Sequence, residues 1–270
     1  MPLKAPFDAL KAWLVDMDGV LYHGKRPMPA AAEFIQALQE SRTPFLFLTN
    51  NATRTPAEYV QRLGEMGIRV DEDAIFTSAL ATARYVREHY PPPRRILVIG
   101  GNGIRAALQD EGYALVDRAD DAELVVSAMD IEANYARCAE ATLAIRGGAP
   151  WVQTNPDRTF PSEQGIVPGA GAIQAFLEAA TDQTPVVIGK PQPGIFRQAL
   201  AILGAQPEET VMLGDRLETD ILGAHRAGLK TICVLTGIAN RAQTEAYNPR
   251  PDWIIEDLRA LLAKPKPFPD

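Results

Sequence analysis

Cysteine, histidine, positive charge and long apolar runs are all scarce in this chain, and each scarcity closes off a class of protein. The two cysteines, Cys138 and Cys233, lie far apart with no histidine beside them, so they read as two buried thiols. The three histidines, His23, His89 and His225, form no pair at metal-ligand spacing. No stretch approaches the ~18 apolar residues of a membrane span. The N-terminal Met1-Pro2-Leu3-Lys4-Ala5-Pro6-Phe7 has no long apolar core of a secretory leader. The expected setting is therefore reducing and cytoplasmic, with no membrane partner. A formal net charge of −7 argues against a nucleic-acid polymer as partner, because a phosphate backbone selects basic surfaces. An anionic substrate would need a metal ion or a few local cations to offset that field. Internal repeats and low-complexity tracts are absent too.

What is present is enough apolar material for a real core: 270 residues, 46% hydrophobic, can hold one large domain or two smaller ones. The stretch Trp13-Leu14-Val15-Asp16-Met17-Asp18-Gly19-Val20-Leu21 reads as a buried strand that ends in two aspartates one residue apart. Open α/β sheets bind ligands at the C-terminal ends of their strands. Gly19 lets the chain turn sharply, so that Asp18 can face the same opening as Asp16. Two carboxylates there suggest either a metal site or an acid/nucleophile pair.

Residues 30–40 then place Phe34, Ile35 and Leu38 at helical spacing, and Pro44-Phe45-Leu46-Phe47-Leu48 is a second strand running into Thr49-Asn50-Asn51. Strand, helix, strand in this order predicts a parallel βαβ unit. After Pro91-Pro92-Pro93 a second α/β unit is expected, with short strands at 95–99, 124–126 and 151–153 and helices from Gly103 and over 133–145. From Thr184 the first style returns. Val186–Lys190 is predicted as a strand ending in Gly-Lys, 211–215 as a strand ending in Gly-Asp, and 231–235 as the last strong strand. Four strand ends of one parallel sheet would then present Asp16/Asp18, Thr49/Asn50, Lys190 and Asp215. Three carboxylates, an amine and small hydrogen-bond donors suit phosphoryl transfer, where catalysis is mostly positioning and charge stabilisation.

These residues, together with Gly189-Lys190-Pro191 and Gly214-Asp215-Arg216-Leu217-Glu218-Thr219-Asp220, resemble the haloacid dehalogenase superfamily of phosphohydrolases. The strings Leu48-Thr49-Asn50-Asn51 and Asn155-Pro156-Asp157 are similar to subfamily IIA, the branch of NagD-like and para-nitrophenyl phosphatase-like enzymes. The resemblance spans nearly the whole chain. It implies an α/β fold, a Rossmann-like parallel sheet core with an inserted α/β cap of the C2 type. It also implies a Mg²⁺-dependent phosphomonoester hydrolase that works through an aspartyl-phosphate. Asp16 would be the nucleophile and Asp18 the acid/base. Asp16, the backbone carbonyl of Asp18 and Asp215 would hold Mg²⁺, with Asp220 in a secondary role. Thr49 and the N–H of Asn50 would bind phosphate, beside Asn51. Lys190 would stabilise charge on phosphorus, and Asn155 and Asp157, with Arg158, would read the substrate. The aspartate two residues after the nucleophile argues against a dehalogenase and against a pump-like ATPase.

Spacing locates the insertion. Only 31 positions separate Asp18 from Thr49, but 141 separate Thr49 from Lys190, leaving ~100 residues for a further domain. The expected division is core over 1–80 and 184–270, and cap over 81–183; a cap of this kind can also support a homodimer. Nucleotide monophosphates, phosphoglycolate and sugar phosphates all stay open as the small phosphorylated substrate. A phosphotransferase of the same fold, or a catalytically weak phosphate-metabolite binding or regulatory protein, are the alternatives. Gly100-Gly101-Asn102-Gly103 lacks the third glycine of the dinucleotide pattern and reads as a tight turn. An ordinary Asn-Pro-Asp turn accounts for 155–157 as well as a substrate loop does. His23 and Asp130 are weaker candidates.

Overall fold

The computed structural model describes residues 1–162 and 164–263. The frayed tail expected from Lys264 lies outside the described residues. Contacts divide the chain into two units, one of Met1–Leu48, Val60–Ile75 and Phe196–Asp270, the other of Thr49–Tyr59 and Phe76–Ile195.

The first unit is built on a six-stranded sheet. Its order is Trp253–Ile255, Lys230–Val234, Thr210–Gly214, Ala12–Val15, Phe45–Thr49, Ile75–Thr77. The pairs through the first five strands are parallel. Trp13, Leu14 and Val15 are fully buried in its middle, as the unbroken apolar run requires of a strand covered on both faces. Trp13 meets Phe34 edge-to-face, ring centroids 5.2 Å apart. Phe34 belongs to the helix Ala31–Glu40, whose buried side chains Phe34, Ile35 and Leu38 recur at the expected spacing. Strand order runs outward from Ala12–Val15 in one direction early in the chain and in the other direction late. The boundary between Ala12–Val15 and Thr210–Gly214 is therefore a topological switch point, the position at which open α/β sheets bind ligands.

The second unit has its own five-stranded sheet, in the order Val186–Val187, Trp151–Gln153, Leu124–Ser127, Arg95–Ile99, Ala114–Val116, all parallel. Its core gathers Leu97, Ile99, Val125, Cys138, Ile145, Trp151 and Leu177. Both cysteines are buried free thiols, and burial pushes the Cys233 thiol up to about 11. No helix among the described residues is long and apolar enough to cross a membrane.

One expectation needs correction. Lys190 does not end a strand of the first sheet: its strand is only Val186–Val187, paired with Val152 and Gln153 in the second unit's sheet. Only three of the four polar strand ends thus belong to one sheet. An apolar run signals burial without naming the sheet that covers it. Residues 49–59 group by contacts with the second unit, where Asn50, Ala52 and Thr53 make hydrogen bonds to Asp157, Lys190 and the start of the helix Asn102–Asp110. Finally, the helix Ala170–Thr181 and the hairpin of Thr159–Ser162 with Gly165–Pro168 were not anticipated. Glycines at 169 and 171 disguise that helix's start; they are needed because a Cβ at Gly171 would lie 2.3 Å from the Pro156 carbonyl.

Candidate active site

In the first unit the switch point carries carboxylates. Asp16 directly follows Ala12–Val15, and Asp215 directly follows Thr210–Gly214. Asp220 lies one turn further on, in the π-helical segment Leu217–Ile221. Oxygens of these three buried side chains lie within 4.8 Å of one another. Backbone N–H groups hold two of the carboxylates, Asp215 Oδ2 accepting from Ile238 N–H (2.8 Å) and Asp220 Oδ2 from Arg216 N–H (3.1 Å), while the main chain of Asp16 is fixed by its N–H donating to Leu213 O (2.9 Å). Two glycines leave room for Asp215. Gly19, at φ +86°, would place a Cβ 2.5 Å from Asp215 Oδ2, and Gly237 would place one 1.9 Å from it. Thr236 Oγ1 donates to Gly19 O at 2.7 Å and ties the two turns together.

Three converging buried carboxylates repel one another unless a cation or protons intervene. An all-oxygen donor set of this charge fits a hard divalent ion such as Mg²⁺, and the glycine-lined approach to Asp215 fits the same reading.

Asp18 is half-buried beyond the turn. Burial pushes its carboxyl above the ordinary aspartate value, against the opposing pull of His23, Arg62 and Arg216. His23 Nδ1 stands 4.0 Å from Asp18 Oδ1 on an exposed side chain. The short hairpin carrying it, Tyr22–His23 with Arg26–Pro27, is pinned by Arg62, which covers the Tyr22 ring at 4.8 Å and donates to Gly24 O.

In the second unit the remaining candidates gather around Asn50. Its Nδ2 donates to Asp157 Oδ2 (3.1 Å) and to Lys190 O (3.0 Å), while its Oδ1 accepts from Lys190 N–H (2.8 Å). Its backbone carbonyl accepts from Asn155 Nδ2 (2.6 Å) and Ser78 Oγ (2.5 Å). Thr49 Oγ1 accepts from Asn51 N–H, and Asn51 Oδ1 in turn holds Thr53 N–H and hydroxyl. Asn155 and Asp157 are thus committed through their side chains to Asn50, and Asp157 N–H closes a tight turn on Asn155 Oδ1 (3.1 Å).

Gly100-Gly101-Asn102-Gly103 does form a tight turn, into the helix Asn102–Asp110. The chain's own backbone occupies it: Gly103 N–H donates to Thr53 O and Ile104 N–H to Ala52 O, leaving a Cβ at Gly103 only 2.4 Å from Arg54 O. Asp130 is taken up by Arg137 (3.0 Å) and by Gly100 N–H, and Arg158 is exposed. Sequence reasoning missed Ser78, Thr236 and Gly237. The signal for the last two was the strand-end pattern itself, since Thr236-Gly237 closely follows the buried strand Lys230–Val234.

The family model for haloacid dehalogenase-like hydrolases matches residues 13–114, and a related model of the same hydrolase type matches 187–261. An acid sugar phosphatase of Staphylococcus epidermidis is 37% identical over 94% of this chain and 97% of its own length. Among solved structures, 4-nitrophenylphosphatase from Thermotoga maritima superposes with a TM-score of 0.88 at 32% identity, over 94% of this chain and 97% of that one. Glycerol phosphate phosphatase from Mycobacterium tuberculosis, determined in complex with calcium, gives 0.89 at 35% identity over 96% and 76%. The chain belongs to the haloacid dehalogenase-like hydrolases.

Proposed function

We propose that this protein is a Mg²⁺-dependent phosphatase of small phosphorylated metabolites, with sugar phosphates and glycerol phosphate as the first substrates to try. It is a hydrolase of phosphoric monoesters, like the phosphatases to which it is similar. The observation that carries the metal-dependent reading is the convergence of Asp16, Asp215 and Asp220 at the switch point of the first sheet. The names acid sugar phosphatase and glycerol phosphate phosphatase support the substrate class.

In this reading a carboxylate oxygen of Asp16 attacks phosphorus and forms an O–P bond. The bond to the leaving oxygen breaks with its electron pair, and Asp18 supplies that oxygen with a proton. Water then attacks the aspartyl-phosphate, Asp18 takes the water's proton, and inorganic phosphate leaves with the Asp16 carboxylate restored. Thr49 and the Asn50 N–H bind phosphate oxygens, and Lys190 offsets the negative charge that builds on them. Asp16, Asp215 and the Asp18 carbonyl would hold Mg²⁺, with Asp220 in the same group. The ion would supply charge neutralisation between the carboxylates and the incoming phosphate.

Release of p-nitrophenol and inorganic phosphate from p-nitrophenyl phosphate tests the reading. Turnover is expected with Mg²⁺, loss of at least about a hundredfold with EDTA, and recovery on adding Mg²⁺ back. Equal rates with and without EDTA would sink it. Nitrophenol released without matching phosphate would point to a phosphotransferase instead. The same assay over a panel of sugar phosphates, glycerol phosphate, phosphoglycolate and nucleotide monophosphates ranks the substrates.

A second expectation concerns Gly237. Gly237→Ala would drive a methyl group into Asp215, and disturbing a ligand's support typically weakens metal binding about 10- to 100-fold. Titration calorimetry with Mg²⁺ should show a loss of that size; unchanged affinity would remove Asp215 from the ligand set.

A further inference from the structure

We propose that the Asn50 side chain is the positioning residue for Lys190, fixing the peptide that carries the candidate charge-stabilising amine to the loop that carries the candidate phosphate-binding Thr49. This rests on the roles given to Lys190 and Thr49 above and adds a connection between them.

The geometry is that of a two-sided clamp. An asparagine amide offers two donor hydrogens and a carbonyl acceptor. In Asn50 both hydrogens are used, on Lys190 O at 3.0 Å and Asp157 Oδ2 at 3.1 Å, and the acceptor takes Lys190 N–H at 2.8 Å. The amide therefore reads both polar groups of one residue 140 positions away, as a neighbouring strand would. Asn50 and Lys190 are both buried, at 8% and 2% exposure. Neither partner has ready access to water as a substitute, and breaking the pair would leave buried backbone groups unmet.

The surroundings leave the clamp little freedom. Gly189 allows the close approach: a Cβ there would lie 2.7 Å from Asn50 Oδ1 and 2.6 Å from Thr154 O. Behind Asn50, its own carbonyl is held by Ser78 and Asn155. Asn155 is fixed in turn by the buried polar chain Trp151 Nε1 to Ser127 Oγ to Gln153, whose Nε2 donates to Asn155 O at 2.8 Å. The Asn-Pro-Asp turn therefore braces Asn50 through both of its polar side chains. A residue that must be placed to within a fraction of an ångström for catalysis needs such a second layer of support.

A double-mutant cycle on p-nitrophenyl phosphate hydrolysis tests this. Asn50→Ala is expected to lower kcat about thirtyfold with KM changed less than about threefold, and Lys190→Ala to lower kcat about a hundredfold. If Asn50 acts through Lys190, the double variant stays within about threefold of Lys190→Ala alone. Independent contributions would multiply to about three-thousandfold, and that result overturns the proposal. Full activity in Lys190→Ala would separately overturn the role of Lys190 itself. Circular dichroism establishes that each variant is folded. Should Asn50→Ala fail that check, Asn50→Asp carries the same cycle: it keeps the acceptor for Lys190 N–H but sets a carboxylate oxygen against Lys190 O and Asp157.

Discussion

Asp16→Asn is expected to abolish phosphatase turnover, lowering kcat by more than about 10⁴-fold, the scale on which removal of a covalent nucleophile is felt. An amide of the same shape keeps the backbone bond to Leu213 O but is a poor nucleophile toward phosphorus. It also removes one negative charge from the group of three carboxylates, so the variant's stability is expected to hold or rise: like charges held together destabilise the fold that gathers them. Steady-state assay and thermal unfolding of the same sample read both effects. A variant that kept a tenth of the activity would take the nucleophile's role away from Asp16.

Asp18→Asn is the second large effect, at least about a hundredfold on kcat, within the range of general acid–base catalysis. The size should depend on the leaving group. A sugar or glycerol alkoxide is a strong base and needs a proton as the bond to phosphorus breaks. p-Nitrophenolate is a weak base and leaves without one. Loss of Asp18 should therefore slow formation of the aspartyl-phosphate from alkyl phosphates, yet with p-nitrophenyl phosphate slow mainly its hydrolysis. The position of Asp18 suits this double duty. Burial raises its pKa from the ordinary aspartate value, so it keeps its proton to higher pH than a free aspartate. As pH rises through that raised value the acid form is lost, and alkyl phosphate hydrolysis should decline first.

Which parts of the fold and site were legible in the sequence depends on what each signal reports. Strand ends bearing Asp16 and Asp215 were readable because a carboxylate that stops a buried apolar run has to be matched by a cation, a proton or backbone N–H groups. The helix Ala31–Glu40 was readable because Phe34, Ile35 and Leu38 repeat at a helical period. The sheet to which Val186–Val187 belongs was not, since two valines fit either sheet and only the pairing with Val152 and Gln153 decides. The helix Ala170–Thr181 was hidden by its alanines and by glycines whose job is to admit the Pro156 and Asp157 carbonyls. Asn155 and Asp157 stood out in the sequence as a turn, but their partner is Asn50, over a hundred positions away, through its backbone carbonyl for the one and its side-chain amide for the other. Hydrogen bonds of such separation leave no periodicity to read. Gly237 was missed for a related reason: its importance lies in the absence of an atom beside Asp215.

Passage of the phosphoryl group through Asp16 is tested most directly by mixing Asp18→Asn with p-nitrophenyl phosphate and Mg²⁺ and following nitrophenol from the first milliseconds. A burst of about one nitrophenol per active site is expected, followed by a slow steady state. Mass spectrometry of the quenched protein should find a phosphoryl group on Asp16 that hydroxylamine removes. A linear time course with an unmodified Asp16, or a phosphoryl group on any other residue, would contradict it.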